Sequence, residues 1–438
     1  MTILLIITIL LFVAYAALLV YYRRAWQANE EYSMTSDEYK DTDGADYTNY
    51  TDAGNDEVGM TNIEEGTESP TFNIPHSPFN ISITIIIPAR NEEANIERCL
   101  QSIVDQSYPA HLRQIIVADD FSTDGTADIV RSFQGQNVSL LRLADHVTDR
   151  LNSYKKKAIE LAVAQATGTL IITTDADCTV PPGWLATCAA FYQQYRPAFI
   201  AAPVLILPSP KREGPGVRLQ PIEIFQALDF MTLQGITGAS VYKKVHTMCN
   251  GANLAYERSA FYEVGGFTGI DHIASGDDML LMHKIYQRYP NRVLFLKSKN
   301  AIVHTEPVHT VKDFLNQRIR WASKADKYDD KRIFWVLVLV YLFNVLLLLL
   351  PIASLVWPQK YPIPNTQFPI PPITVWLLLL CSKTIIELYF LYPVAQFFNN
   401  TKLLWWFPIA QPFHILYTVI AGWLGKFGSY QWKGRKVR

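Results

Sequence analysis

The sequence predicts an α/β domain with a mostly parallel sheet, carried between membrane helices at its N-terminal and C-terminal ends. Three observations lead there. Short β-branched runs alternate with helical periodicity from Ile83 to Thr174, and strands joined by helical crossovers pair in parallel. A 21-residue apolar run opens the chain and three further apolar stretches close it. Pairs of acids stand at the ends of two strand-like runs, where ligands bind on sheets of this kind.

The opening run, Thr2 to Tyr22, is followed by Arg23 and Arg24 and preceded by nothing basic. It is long enough to cross a bilayer core of about 30 Å. The positive-inside rule places its N-terminus outside and the following domain in the cytoplasm. Ala14-Tyr15-Ala16 resembles a signal-peptide cleavage site, but no basic segment precedes the run. The expected organisation is a transmembrane helix at 1–24, a tether at 25–80, the α/β domain at 81–330, membrane segments at 331–425 and a basic tail at 426–438.

The tether is acidic. From Ala25 to Pro70 there are 13 Asp and Glu against one basic residue, Lys40. Its polar, aperiodic composition cannot bury enough apolar surface to fold, so it reads as disordered. The net charge of −1 therefore hides a basic remainder of 38 Lys and Arg against 27 Asp and Glu. Such a balance suits anionic lipid surfaces and phosphorylated substrates, and equally an ordinary solvated surface. Five scattered cysteines, none spaced C-x-x-C, argue against a disulfide framework or a zinc site and fit reduced thiols.

Within the domain, Ile83 to Ile87 reads as a buried strand ending at Pro88, and Asn91 to Gln106 as a helix. Gln114 to Ala118 is the second strand, ending at Asp119-Asp120, and Asp124 to Phe133 the second helix. Val138 to Leu143, Lys155 to Ala166 and Leu170 to Thr174 continue the alternation up to Asp175-Ala176-Asp177. Of the closing stretches, Ile333 to Trp357 is a clear span, and Ile373 to Ala395 carries Lys383 and Glu387 four apart. Leu403 to Leu424 contains Pro408, Pro412 and His414. Four spans would leave the basic tail outside, so the expectation is three spans and one interfacial or re-entrant segment.

Some acids suit chemistry and some suit caps. Asp124 before Gly125 fits a turn. Asp175 and Asp177 offer hard oxygen ligands to Mg²⁺ or Mn²⁺, completed by two phosphates of a nucleotide. Asp277-Asp278 follows the Gly265-Gly266 turn and opens a helix from Met279 to Tyr289. A carboxylate there is either a helix cap or a general base for an acceptor hydroxyl. Gln317, Arg320 and Trp321 share one helical face, where an amide, a guanidinium and an indole suit a diphosphate and a sugar ring. A Trp packed on an amphipathic helix is the competing account. His304, Glu306 and His309 match no standard metal spacing. Asn250-Gly251-Ala252-Asn253 is a turn or a backbone surface facing an acceptor.

Taken in order, these residues resemble the membrane-bound family 2 glycosyltransferases of the Rossmann-like GT-A fold, the branch containing cellulose, hyaluronan and poly-N-acetylglucosamine synthases and ceramide glucosyltransferase. The resemblance covers Ile83 to Trp321 and the spans that follow. It implies inverting transfer of a hexose from a nucleotide-diphosphate sugar, a UDP-sugar by expectation, to a lipid, lipid-linked or glycan acceptor. It implies an enzyme integral to the plasma or inner membrane, with no nucleic-acid partner. By motif, Pro88, Arg90, Glu92 and Asp120 are expected to hold the nucleobase and ribose, with Lys155 near the nucleotide. Asp175 and Asp177 match the metal and diphosphate motif, Asp278 the base, Asp277 and Trp321 the acceptor side, and Gln317 and Arg320 the donor. The family's Glu before the base is Asp277 here, and its Gly before the basic motif is Tyr154. A processive polysaccharide synthase and a non-catalytic membrane-tethered sugar binder are the alternatives.

Overall fold

The structure, a computed structural model, describes residues 2–34, 80–148, 151–206, 220–245, 248–273, 276–323, 330–356, 371–428, 430–432 and 435–437. Helix α1 (Thr2–Ala28) opens the chain, followed by β1 (Ile83–Ala89), α2 (Ile96–Val104), β2 (Arg113–Asp119), α3 (Thr126–Ser132), β3 (Val138–Arg142), α4 (Tyr154–Gln165) and β4 (Leu170–Thr173). Next come β5 (Cys178–Thr179), α5 (Trp184–Tyr195), β6 (Phe199–Ala201), β7 (Val204–Ile206), α6 (Pro221–Lys243), β8 (Leu254–Glu257), α7 (Arg258–Glu263) and α8 (Asp277–Arg288). The rest is β9 (Val293–Phe295), β10 (Val303–Thr305), α9 (Val311–Ala322), α10 (Lys331–Val356), α11 (Pro372–Phe397), α12 (Phe407–Phe427) and the hairpin β11 (Tyr430–Trp432) with β12 (Arg435–Val437).

Seven strands form the main sheet in the order β3-β2-β1-β4-β8-β6-β9. It is parallel except at β8, which runs antiparallel to β4 and β6. The buried β-branched runs account for its centre, since β1 contributes Ile85 and Ile87 to one core layer and Ile86 to the other. Pro88 is tolerated inside a central strand because of register. It shares the parity of Ile86, whose carbonyl accepts from Thr174, and β4 has ended at Thr173 before Pro88 is reached. Gly168, just before β4, sits where a β-carbon would lie 2.4 Å from the Thr84 backbone nitrogen.

Several expectations move. The helix expected from Asn91 begins at Ile96, because Asn91 takes a left-handed φ of 51° and the chain turns before it coils. Helix α1 continues to Ala28, past the expected boundary at 24, and buries Ala25 and Trp26 completely. The backbone of Tyr32 donates to Lys297, so the start of the expected tether is pinned to the domain. The rest of the tether, 35–79, lies outside the described residues.

Helix α6 joins the sheet to the membrane helices. It begins with a capping box between Gln220 and Glu223, with Pro221 in its first turn. A β-carbon on Gly235 would approach Val394 of α11 to 2.6 Å, and one on Gly238 would approach Trp26 of α1 to 2.7 Å. The two glycines therefore let three helices close up.

Among the described residues, four helical segments are long and apolar enough to cross a membrane, in α1, α10, α11 and Thr401–Phe427. The last keeps unusual company. Phe413 and Tyr417 of α12 pack on Phe225 of α6 and Phe314 of α9, and Gly425 abuts Ala322 at the end of α9. From 413 to 425 is about 18 Å of helix, over which α12 stays against the polar, short α9. By length and composition the same stretch could also cross the membrane.

Candidate active site

The carboxyl ends of β1, β2 and β4 bring the expected residues together. Asp119 closes β2, Asp120 follows it, and both are almost fully buried. The Arg90 guanidinium donates to the Asp120 carbonyl at 2.6 Å and the Phe121 carbonyl at 3.2 Å, and lies 3.9 Å from the Asp120 carboxylate. Asp119 accepts from the Ser122 backbone at 3.1 Å, so it shapes the turn. Glu92 accepts from Asn95 at 3.0 Å, while its backbone N–H donates to Thr126. Asp124 accepts from Thr126 and the Glu93 backbone, the turn-forming role foreseen for it.

Beyond β4 the acids meet a cation. Lys155, on the first turn of α4, lies 2.8 Å from an Asp175 oxygen and 3.3 Å from an Asp277 oxygen. Burial opposes the charge of Lys155, but Asp175 and Asp277 outweigh it and hold its ammonium well above the usual lysine range. Asp177 follows on the same turn, beside Cys178 at 3.5 Å. Burial pushes the Cys99 and Cys178 thiols up, so both stay protonated beside the acids. All five cysteines are free.

Helix α8 starts at Asp277, with Gly276 as its cap in a left-handed conformation (φ 79°). Asp278 is therefore in the first turn and is not the cap residue. Its carboxylate accepts from the Gly251 backbone at 3.0 Å and from the Met279 backbone at 2.8 Å. The Asn250-Gly251 segment thus works as a backbone surface, holding Asp278. Asn253 is structural: fully buried, it donates to the Pro203 and Ala301 carbonyls and accepts from Trp184.

On α9, Gln317, Arg320 and Trp321 are half-buried. Gln317 accepts from Arg318 at 2.6 Å. The residue that sequence reasoning passed over is Arg318. It is nearly buried, donates twice to Asp229 of α6 and stacks on Trp321 with its guanidinium carbon 4.2 Å from the ring centroid. One signal was available, because Asp229 is the lone charge in the run Ile224 to Tyr242.

A cavity of about 1760 Å³ opens beside these groups. Lys155, Asp278, Asn250 and Trp321 are on its wall, together with residues of α1, α6, α10, α11 and α12. Gln317 and Arg320 are not on its wall, nor are Pro88, Arg90, Glu92, Asp120, Asp175 and Asp177.

Asp175 and Asp177 present two hard carboxylates, the donor type that Mg²⁺ or Mn²⁺ prefers. Among the described residues no three His, Cys, Asp or Glu side chains form a metal-holding group. The pair thus suits a cation shared with a diphosphate, not one held by protein alone. Glu306 pairs with Arg98 and His309 with Glu223, in keeping with the reading of that segment as no metal site.

Residues 84–265 match the glycosyl transferase family 2 model. The match takes in β1 to β4 with their acids and stops before Asp277, Asp278 and α9. The probable glycosyltransferase YdaM of Bacillus subtilis is 26% identical over 55% of this chain and 54% of its own length. The 4,4'-diaponeurosporenoate glycosyltransferase of Staphylococcus aureus is 42% identical over 18% of this chain and 19% of its own. The alignments span 33% to 55% of the length of the first curated relatives. The mannosyltransferase PcManGT of Pyrobaculum calidifontis, solved with GDP-Man and Mn²⁺, superposes with a TM-score of 0.52 at 18% identity, covering 94% of this chain and 99% of that one. At that identity the likeness establishes the fold, which is GT-A. Residues 84–265 are a family 2 glycosyltransferase domain.

Proposed function

We propose that this chain is an inverting, membrane-integral glycosyltransferase that moves a hexose from a nucleotide-diphosphate sugar to a lipid or lipid-linked acceptor. The single observation that carries the acceptor class is the cavity, whose wall joins Lys155 and Asp278 to residues of the membrane helices. In this reading a lipid alcohol enters the chamber from the bilayer with its hydroxyl toward Asp278. The staphylococcal relative is named for glycosyl transfer to 4,4'-diaponeurosporenoate.

In this reading Arg90, Asp120, Glu92 and Pro88 shape the nucleoside seat of a UDP-sugar. Asp175 and Asp177 would hold Mg²⁺ or Mn²⁺, which when bound neutralises charge on the departing diphosphate. Lys155 adds a second positive charge beside them, and Gln317 and Arg320 serve the donor from α9. Asp278 takes the proton of the acceptor hydroxyl as its oxygen attacks the anomeric carbon. The bond from that carbon to the diphosphate oxygen breaks, and the nucleoside diphosphate leaves from the opposite face. Two backbone N–H groups fix the Asp278 carboxylate, so little reorientation precedes the proton transfer. Trp321 borders the acceptor from the cavity wall, and Asp277, off that wall, pairs with Lys155 beside it.

The catalytic side is cytoplasmic, on the strength of Arg23-Arg24 after the first span. Membranes containing the chain, incubated with a panel of labelled nucleotide sugars with and without EDTA, provide the test. Label in the lipid extract with one donor, lost with EDTA, is the expected result. Label only in a polymer fraction would select the polysaccharide synthase, and no incorporation with any donor would defeat the proposal.

A further inference from the structure

Five polar side chains meet deep among the membrane helices. Lys383 and Glu387 come from α11, Gln411 and His414 from α12, and Tyr15 from α1. The Lys383 ammonium lies 2.6 Å from Glu387, 2.8 Å from the Gln411 side-chain oxygen and 3.5 Å from His414 Nδ1. Tyr15 and the Gln411 amide both donate to Glu387. Lys383 has no exposed surface and Glu387 has 5%. Burying such an ion pair costs several kcal/mol per charge before pairing returns part of it, and ionisable groups inside a membrane commonly mark a site.

This cluster is not sealed off. Tyr15, Glu387, Gln411 and His414 all line the cavity that Asp278 also lines. Much of the remaining wall is apolar, with Leu19, Tyr22, Leu228, Ile236, Val340 and Phe390, and Asp229, Gln234 and Arg318 belong to it as well. The chamber therefore carries this cluster of the membrane helices in addition to Lys155 and Asp278. A plain hydrocarbon chain filling it would strip water from the cluster and offer no hydrogen bond in return.

We propose that this cluster is a second recognition site, for an uncharged hydrogen-bonding group, an amide, ester or hydroxyl, carried by the acceptor lipid at a distance from the hydroxyl that receives the sugar. The absence of net charge in the ligand follows from the cluster itself. Lys383 opposes a cation, Glu387 opposes an anion, and the two cancel toward a neutral group. The inference rests on the lipid-acceptor reading above and names the kind of lipid.

The test uses the full chain in lipid nanodiscs and a set of long-chain alcohols, one plain and the others carrying a single amide at successive chain positions. Acceptor kcat/KM is measured for each with the sugar donor that the panel selects. The expected profile is peaked: an amide at one narrow range of positions raises kcat/KM about tenfold or more over the plain alcohol. In Lys383→Met/Glu387→Met, which removes both charges together and strands neither, that ratio falls to about one. If this variant does not fold, His414→Phe and Tyr15→Phe replace it, each expected to flatten the peak. Transfer to the plain alcohol with a flat wild-type profile would overturn the inference alone, as would a peak that survives these variants. No transfer to any of the alcohols would overturn the lipid-acceptor reading and the inference with it.

Discussion

Arg318 and Asp229 form a nearly buried ion pair in which two guanidinium nitrogens, at 3.0 and 2.6 Å, converge on one carboxylate oxygen. The pair ties α9 to α6. Tyr417 of α12 donates to the other Asp229 oxygen, so three helices meet at one carboxylate. Trp321 and Phe314 both lie against the guanidinium. The indole at the cavity wall is therefore positioned by a charge pair, not by apolar packing alone.

Removing one partner leaves a lone buried charge, worth about 3–5 kcal/mol. Asp229→Leu should accordingly lower the thermal midpoint sharply, and Asp229→Leu/Arg318→Met should recover much of that loss. In the folded fraction of the double variant acceptor KM should rise while donor affinity holds, because Trp321 has lost its support. Unchanged acceptor KM would reduce Arg318 to a purely structural role.

Lys155 bridges Asp175 and Asp277. Lys155→Met leaves these carboxylates without their cation, so donor binding should weaken by about tenfold or more and depend more steeply on added Mg²⁺ or Mn²⁺. The lysine's folded-state affinity for its proton is raised. Its stabilisation is therefore complete below the unfolded value of about 10.4 and is lost only as pH climbs through the higher folded value. The difference in thermal midpoint between wild type and Lys155→Met should then stay level from pH 6 to 9. A difference that varies across that range would contradict the pairing.

His304 on β10 behaves in the opposite sense. Burial holds its imidazole below the usual histidine range. The unfolded chain thus binds a proton near pH 6.5 that the folded chain refuses. Stability attributable to this residue is complete above about pH 6.5 and falls as pH drops toward the folded value. Thermal melts of wild type and His304→Gln between pH 7 and 5 should diverge, the variant losing less. Parallel curves would show that His304 titrates normally.

Because α12 runs along α9, the end of α12 and the catalytic domain should share one side of the membrane. Cysteines introduced at Thr48, which lies outside the described residues, and at the exposed Lys426 are to be probed in intact cells lacking the exposed Cys381. Both should resist an impermeant thiol reagent until the cells are opened. Labelling at Lys426 alone would make α12 a full span, and labelling at Thr48 would reverse the orientation.

How much was legible follows from how local each signal is. Strands β1 to β4 stood out because buried parallel strands are continuous apolar runs, and their terminal acids came with them. Strands β6, β8 and β9 are three or four residues long and carry no period to detect. Helix α6 had a readable start, with Pro221 and the Gln220–Glu223 box, but its apolar faces look like any buried segment. The bridge from Lys155 to Asp277 and the seat of Asp278 on Gly251 join residues far apart in the chain, so no spacing announces them. Arg318 was hidden inside a motif whose neighbours drew the attention, and its partner Asp229 lies on a different helix.

The account turns on Asp278 as the group that takes the acceptor proton, and one measurement bears on it most directly. Turnover of Asp278→Asn, normalised to folded protein, is compared with wild type at saturating labelled donor and lipid acceptor, beside a donor titration of each. The substitution keeps the side-chain shape and an oxygen for the Gly251 N–H while removing the base. Turnover lower by about 100-fold or more, with donor affinity close to wild type, is the predicted result. Normalised turnover near the wild-type value would remove Asp278 as the base and contradict the account.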